Sequence, residues 1–402
     1  MRWRAHFFLN VNKNNDNETK TETFAFKSKH HPGQSKELEN FEKDLFNIAT
    51  SLKFRTLKNS FKEKMKKDIS NIKSSKDINI FADKTNNIYK LSPNEYTKLL
   101  YENITKTYEN ATNRLEKSIN MEAKCISKTL DLSDRIECLS KNSAFITIKD
   151  HKDNFQSSKP CRLINPSKSE IGKVSKALLQ VINKDLLKQT EYNQWKDSAD
   201  VINWFINIEN KNNCTFIKFD IKDFYPSISE DILKDAISFA NQYHQISNEN
   251  ARIIHHSRKS LLFRHNEAWK KKATASCFDV TMGSYDGAEI CELVGIYILS
   301  SLTTIIHKTD IGLYRDDGLL VLRNMNGQQI DRTRKNIIKI FKNIGFKIEI
   351  ETNLKVADFL DITFNLTNST FRPYKKPNNS LLYINKMSNH PPQILALIPR
   401  II

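Results

Sequence analysis

Two acidic points at fixed places in an alternating run of strands and helices constrain this chain more than any other feature. Thr215-Phe-Ile-Lys-Phe-Asp220 reads as an apolar strand closed by a carboxylate. Ile311-Gly-Leu-Tyr-Arg-Asp-Asp-Gly-Leu-Leu-Val-Leu reads as two short strands about an Asp-Asp-Gly turn. Between them the periodicity predicts a helix from Ser229 to Tyr243, a basic segment to Lys272, and a long apolar helix through Leu302 preceded by Val280-Thr-Met-Gly-Ser. A helix from Ile330 to Asn343 and a strand from Phe346 to Ile350 complete a β-α-β-β-α-β order, which describes a ferredoxin-like unit in an α+β chain. In such a sheet the first strand and the central hairpin are neighbours, so Asp220 and Asp316-Asp317 are expected to converge.

Three carboxylates packed together repel and raise one another's pKa, a cost that a bound divalent cation removes. Hard oxygen ligands with room for water and phosphate describe Mg²⁺. Two such ions bridged by carboxylates form the clamp used for in-line phosphoryl transfer. An Asp-Asp-Gly turn also arises without any function. The ordered set argues against coincidence here: an Asp-ending strand upstream, a Met-Gly-Ser turn opening a helix, and a basic hairpin before both.

The rest of the chain fits a large intracellular nucleic-acid binder. Its 402 residues suit two or three domains or one multi-lobed enzyme. The net charge of +17 would gather polyanions, while 39% hydrophobic content supplies a core. The six cysteines stand singly, as in a reduced compartment. No apolar run is long enough to span a bilayer, so no membrane partner is expected. With nine glycines and neither a Walker loop nor a GxGxxG, any phosphate must be held another way.

Residues 1–80 read as a basic N-terminal extension, an Asn-, Lys- and Thr-rich leader to about residue 35 and then helical. Lys53, Arg55, Lys58, Lys62, Lys64, Lys66 and Lys67 make either a phosphate-binding helix or a solvated face. Residues 81–210 hold further helices. Ser92-Pro-Asn-Glu opens a stretch predicted as helical to about Leu139. Phe145-Ile-Thr-Ile-Lys and Pro160-Cys-Arg-Leu-Ile-Asn-Pro form a basic β-hairpin, and helices follow from Ser169 to about Leu187 and from Trp195 to about Ile208.

With these residues in view, the chain resembles a reverse transcriptase, and within that class most closely those of Penelope-like retroelements. The resemblance covers roughly residues 80–402. It implies a right-hand polymerase with a ferredoxin-like palm over 211–365, a fingers insertion at about 245–275, helical and β-hairpin fingers, and only the start of a thumb in 366–402. Phe219-Asp-Ile-Lys-Asp-Phe-Tyr-Pro-Ser-Ile is similar to the first palm motif. This implies Asp220 as a metal ligand, Asp223 and Phe224 beside the incoming deoxynucleoside triphosphate, and Tyr225 as the ring that blocks a ribose 2′-hydroxyl. Tyr314-Arg-Asp-Asp is similar to the YxDD hairpin, giving Asp316 as second metal ligand, Asp317 as its neighbour, and Tyr314 and Arg315 against nucleic acid.

Lys149-Asp-His-Lys152 and Pro160-Cys-Arg162-Leu resemble the paired fingers motifs, with Lys149 and Arg162 as triphosphate clamps and Lys152 near the nucleic acid. Met282-Gly283-Ser284 resembles the template-contacting turn, Gly345-Phe-Lys347 the motif that brings a lysine to the pyrophosphate, and Phe359-Leu360-Asp361 the primer grip. Tyr374-Lys-Lys-Pro with Ser388-Asn-His-Pro-Pro, and Asp83-Lys84 with Tyr96, point to the Penelope-like branch.

The resemblance implies two Mg²⁺ ions, with Mn²⁺ able to replace them, and dNTPs, an RNA template and a DNA primer as partners. The nucleus is the favoured location, and no oligomeric state is implied. Tyr285-Asp286-Gly287 stands where the family has a proline-containing run, and Asp286 is expected to place a charge close to the nascent base pair. That turn and the missing thumb leave a catalytically weak or inactive nucleic-acid-binding remnant as one alternative. An RNA-dependent RNA polymerase is another, disfavoured by the bulk of Tyr225.

Overall fold

The computed structural model describes residues 36–53, 60–85, 87–130, 132–133, 141–152, 154–166, 168–272, 274 and 276–374. The leader, Arg55 and Lys58 of the basic run, Lys375-Lys376-Pro377, Ser388-Asn-His-Pro-Pro and most of the expected thumb segment lie outside these residues. No helix among the described residues is long and apolar enough to cross a membrane.

The strand Cys214–Ile221 organises the molecule because it is apolar on both faces. Ile217, Phe219 and Ile221 point one way and Cys214 and Phe216 the other, all of them buried. It lies in a five-stranded sheet whose order is Ile348–Leu354, Cys214–Ile221, Asp317–Arg323, Ile311–Tyr314 and Asn193–Gln194. The first four are antiparallel neighbours in the ferredoxin-like order, and Asn193–Gln194 adds a short parallel strand at the hairpin edge.

Helices Glu230–Ala240, Gly287–Leu302 and Gly327–Ile344 cover one face and bury Phe219, Leu233, Val294, Leu320 and Phe341 with it. Two glycines permit this packing at close quarters. A Cβ on Gly318 would stand 2.0 Å from the Phe219 ring, and one on Gly312 would stand 2.2 Å from Trp195. On the opposite face, helix Ser198–Ile206 and the small sheet Val356–Phe359, Ile362–Asn365, Thr370–Pro373 cover only the start of the central strand, through Trp204, Phe205, Phe216, Val321 and Phe364. The end that carries Asp220 stays open.

The predicted helix from Ser92 to Leu139 does not run through. Helix Pro93–Thr107 begins where expected, with Ser92 Oγ accepting the Glu95 N–H at 3.3 Å. Strand Tyr108–Asn110 then interrupts it by pairing with Glu267–Lys271, and helix resumes at Asn113–Thr129. The cause is tertiary. Tyr108 is buried, and its hydroxyl donates to Asp279 at 2.6 Å, a partner that no local period reveals.

The segment expected as a fingers insertion forms helix Asn248–Ser257 and the hairpin Leu262–Arg264 with Glu267–Lys271, turned by His265 and Asn266 at φ 46° and 70°. The basic hairpin forms as Phe145–Ile148 against Cys161–Ile164. A second hairpin, Ile78–Phe81 with Ile88–Leu91, straddles the expected boundary at residue 80 and joins the first through an Ala82 to Ile148 bridge.

Candidate active site

The register of the sheet sets the acidic site. Asp317 and Asp220 are directly opposed across one strand pair, and Asp220 and Glu349 across the next. Opposed residues project on the same face, so a row of carboxylates crosses three strands at the open end. Arg315 and Asp316 form the two-residue turn, Arg315 at φ 56°, and the Asp316 carbonyl accepts the Ile221 N–H at 2.9 Å. The three aspartates singled out in the sequence therefore meet.

Their electrostatics record the crowding. Burial, then the charge of Asp316, then that of Glu349 raise the Asp220 pKa. Burial, Asp316 and Asp220 push Asp317 up to about 6. Lysines supply partial relief: Lys222 pairs with Glu349 at 2.6 Å and Lys218 with Glu351 at 3.1 Å, while Lys84 lowers both Asp220 and Asp317 from a distance. Among the described residues no three His, Cys, Asp or Glu side chains form a ready cage for a metal ion. Mg²⁺ does not need one, because it is commonly held by one or two carboxylates together with water and substrate phosphate. Half-buried Asp220 and Asp317, both raised by neighbouring carboxylate charge and without an ion-pair partner among the described residues, fit such an ion.

A basic wall stands across from this row. Arg162 lies opposite Thr147 in the fingers hairpin, and its Nη1 is 2.9 Å from Asp83. Burial and then the Arg162 charge lower the Lys149 pKa, while Asp83 and Asp223 act in the other direction, so the expected clamp residues share one neighbourhood with Asp223. Lys152 acts on both Asp220 and Glu349. Asp150 accepts hydrogen bonds from Thr85 at 2.5 Å, Asn87 at 2.8 Å and Tyr89 at 3.0 Å. Burial alone would raise its pKa, and these donors bring it below the usual carboxylate value. They also fasten Thr85, Asn87 and Tyr89 to the fingers turn, next in the chain to Lys84, whose charge lowers Asp220 and Asp317. The Lys84 position, the Glu349 partner of Asp220 and the Asp83 to Arg162 pair have no local signal that assigns them these roles.

Beside the carboxylates, Asp223 sits in the left-handed region at φ 48° and is exposed, while Phe224 is buried in the core beneath it. The Tyr225 ring lies against the first turn of helix Gly287–Leu302, where a Cβ on Gly287 would be 3.8 Å from Cε1. Burial, then contact with Cys291, holds the Tyr225 hydroxyl above its ordinary pKa. Met282 is half-buried, and Gly283, at φ 107°, abuts the end of the fingers hairpin, its Cβ position 3.2 Å from the Asn165 carbonyl.

Asp286 departs from expectation. It is 0% exposed and accepts from Ser175 Oγ and Ser257 Oγ at 2.6 Å each and from Arg258 Nη2. It therefore presents no free charge to a base pair. Arg258, 28 positions upstream, carries no sequence signal of this pairing.

The remaining residues divide. Arg315 lies over the Tyr314 ring at 5.6 Å, at the exposed hairpin tip. Lys347 is exposed, its carbonyl accepting the Lys222 N–H at 2.9 Å. Phe359 is 2% exposed and packs edge-on against Trp195 at 5.5 Å, so its ring belongs to the core, and Leu360 beside it turns the chain at φ 53°.

No family model and no curated protein matches the chain. Solved structures do. The apo telomerase of Candida tropicalis is similar with a TM-score of 0.55 at 12% identity, over 84% of this chain and 67% of that one. The telomerase of Candida albicans in complex with a TWJ fragment of telomeric RNA gives 0.53 at 12% identity, over 86% and 59%. The corresponding RNA complex from Candida tropicalis gives 0.52 at 13%, over 80% and 55%. The chain thus spans between about half and two thirds of the length of these telomerases. At such identity the likeness is one of fold, and with the sheet order and the fingers hairpin it shows that this chain has an α+β right-hand polymerase fold.

Proposed function

We propose that this chain is an RNA-directed DNA polymerase of a Penelope-like retroelement, adding a deoxynucleotide to a primer 3′-hydroxyl on an RNA template. The observation that carries the reading is the direct opposition of Asp220 and Asp317, with Asp316 at the adjoining turn, beneath the basic wall of Lys84, Lys149, Lys152 and Arg162. In the reaction the hydroxyl oxygen attacks the α-phosphorus, a phosphodiester bond forms, and pyrophosphate leaves. Asp220 and Asp316 would hold two Mg²⁺ ions with help from Asp317. When bound, these ions lower the pKa of the attacking hydroxyl and stabilise the leaving oxygen.

The protein's own side chains position the reactants. Lys149 and the forked guanidinium of Arg162 orient the triphosphate, and Lys347 is assigned to the pyrophosphate. Tyr225, backed by Phe224, excludes a ribose 2′-hydroxyl. Asp223, Met282 and Gly283 line the nucleotide pocket, and Lys152, Tyr314, Arg315 and Leu360 contact template or primer. The duplex is held by its phosphates and A-form shape, which gives strong salt dependence and little sequence choice. Retroelement origin and a nuclear location belong to the same proposal.

The alternative of an inactive remnant drew part of its support from a free charge at Asp286, and that charge is paired. Primer extension on an RNA template with Mg²⁺ and dNTPs tests the reading. Extension by wild type that is lost in Asp316→Asn supports it, and binding without extension overturns it. Tyr225→Ala is expected to admit ribonucleotides, and unchanged sugar discrimination would remove Tyr225 from its role.

A further inference from the structure

Arg258 is 1% exposed, the largest of the fully buried side chains among the described residues, and its carbonyl and both terminal nitrogens engage one loop. Its carbonyl accepts the Asp279 N–H at 2.9 Å, where the loop begins. Its Nη1 donates to Ser284 Oγ at 3.0 Å, and its Nη2 pairs with Asp286, where the loop ends and helix Gly287–Leu302 starts. The loop between these anchors contains the Met282-Gly283 turn that abuts the fingers hairpin. The Tyr225 ring lies against Gly287, the residue after Asp286, and Cys291 one turn later contacts the Tyr225 hydroxyl.

Asp286 is tied in turn to two other helices, through Ser175 of Ile171–Thr190 and Ser257 of Asn248–Ser257. Ser257 Oγ also lies 3.1 Å from Ser175 Oγ, and Arg258 Nε donates to Ser257 Oγ at 3.3 Å. The buried charges therefore have hydrogen-bonding partners on all sides.

We propose that Arg258 and Asp286 are positioning residues for nucleotide selection, a buried clamp that fixes the 279–286 loop and, through Gly287, the distance of the Tyr225 ring from the incoming sugar. The inference rests on the polymerase reading for what is selected. A clamp of this kind acts through geometry, because a shift of about 1 Å in a positioned group costs up to about a hundredfold in rate. A merely structural ion pair behaves differently: replacing a buried pair by apolar side chains of similar volume is commonly neutral or stabilising, whereas removing one partner leaves a buried charge alone.

The test compares wild type with the double variant Arg258→Met, Asp286→Leu, chosen because it leaves no unpaired charge, and with Arg258→Lys, which keeps the charge but loses the fork. In primer extension the double variant is expected to raise the KM for dNTP by on the order of 10–100-fold and to lower discrimination against ribonucleotides, with a smaller change in kcat. Arg258→Lys is expected to fall between. Independently of activity, backbone amides of residues 281–287 are expected to exchange at least about tenfold faster in the double variant, with the central sheet unchanged. A folded double variant with wild-type sugar discrimination overturns the clamp, and so does unchanged exchange over 281–287. A wild type that binds template and primer without extending them overturns the polymerase reading instead, and the exchange measurement still decides whether the clamp holds the loop.

Discussion

Two acidic sites in this molecule solve the same electrostatic problem in opposite ways. At the open end of the sheet, Asp220, Asp316 and Asp317 crowd one another with lysines only at a distance, and Asp317 is pushed up to about 6. Some way along the chain, Asp286 is sealed from solvent and meets an arginine and two serine hydroxyls. A carboxylate satisfied by its own protein needs nothing further. Carboxylates that repel one another at a surface are stable only if something arrives to neutralise them, and sites of chemistry are commonly built that way.

The sharpest contrast is between activity and stability. Asp220→Asn is expected to cut extension by on the order of a thousandfold, matching the several kcal/mol that metal coordination contributes, while leaving the fold at least as stable. Asp286→Ala is expected to do the reverse in kind, lowering unfolding stability by about 3–5 kcal/mol because it strands the Arg258 charge in the interior. Denaturant unfolding and primer extension on both variants check this, and a stability loss in Asp220→Asn equal to that in Asp286→Ala would erase the distinction.

A smaller effect separates the sites by pH. The folded Asp317 pKa, about 6, lies above the ordinary 3.8, so its contribution to stability is whole below about pH 3.8 and is lost as the pH rises through 6. In EDTA, Asp317→Asn is therefore expected to be more stable than wild type at pH 8 by on the order of 1–3 kcal/mol, and the difference should vanish near pH 4. A constant difference across that range would mean that repulsion is not its cause.

The sequence made one of these sites legible and hid the other for a physical reason. Strand alternation from Thr215 to Asp220 and the Asp-Asp-Gly turn are local signals, and the topology of a ferredoxin-like sheet converts them into proximity. The Arg258 to Asp286 pair depends on how two helices and a loop pack, and nothing within either segment encodes it. The same limit explains the strand at Tyr108–Asn110, whose pairing partner lies far along the chain at Glu267–Lys271. It also explains Phe359, whose turn motif was readable but whose ring is taken by Trp195.

Mn²⁺ binding followed by electron paramagnetic resonance tests the central claim most directly, because it reads the palm carboxylates without requiring turnover. With template–primer and dNTP present, wild type is expected to bind Mn²⁺ and Asp220→Asn, Asp316→Asn to lose that binding, while Arg258→Met, Asp286→Leu keeps it. Equal binding by wild type and the palm variant, or none by either, would contradict the account.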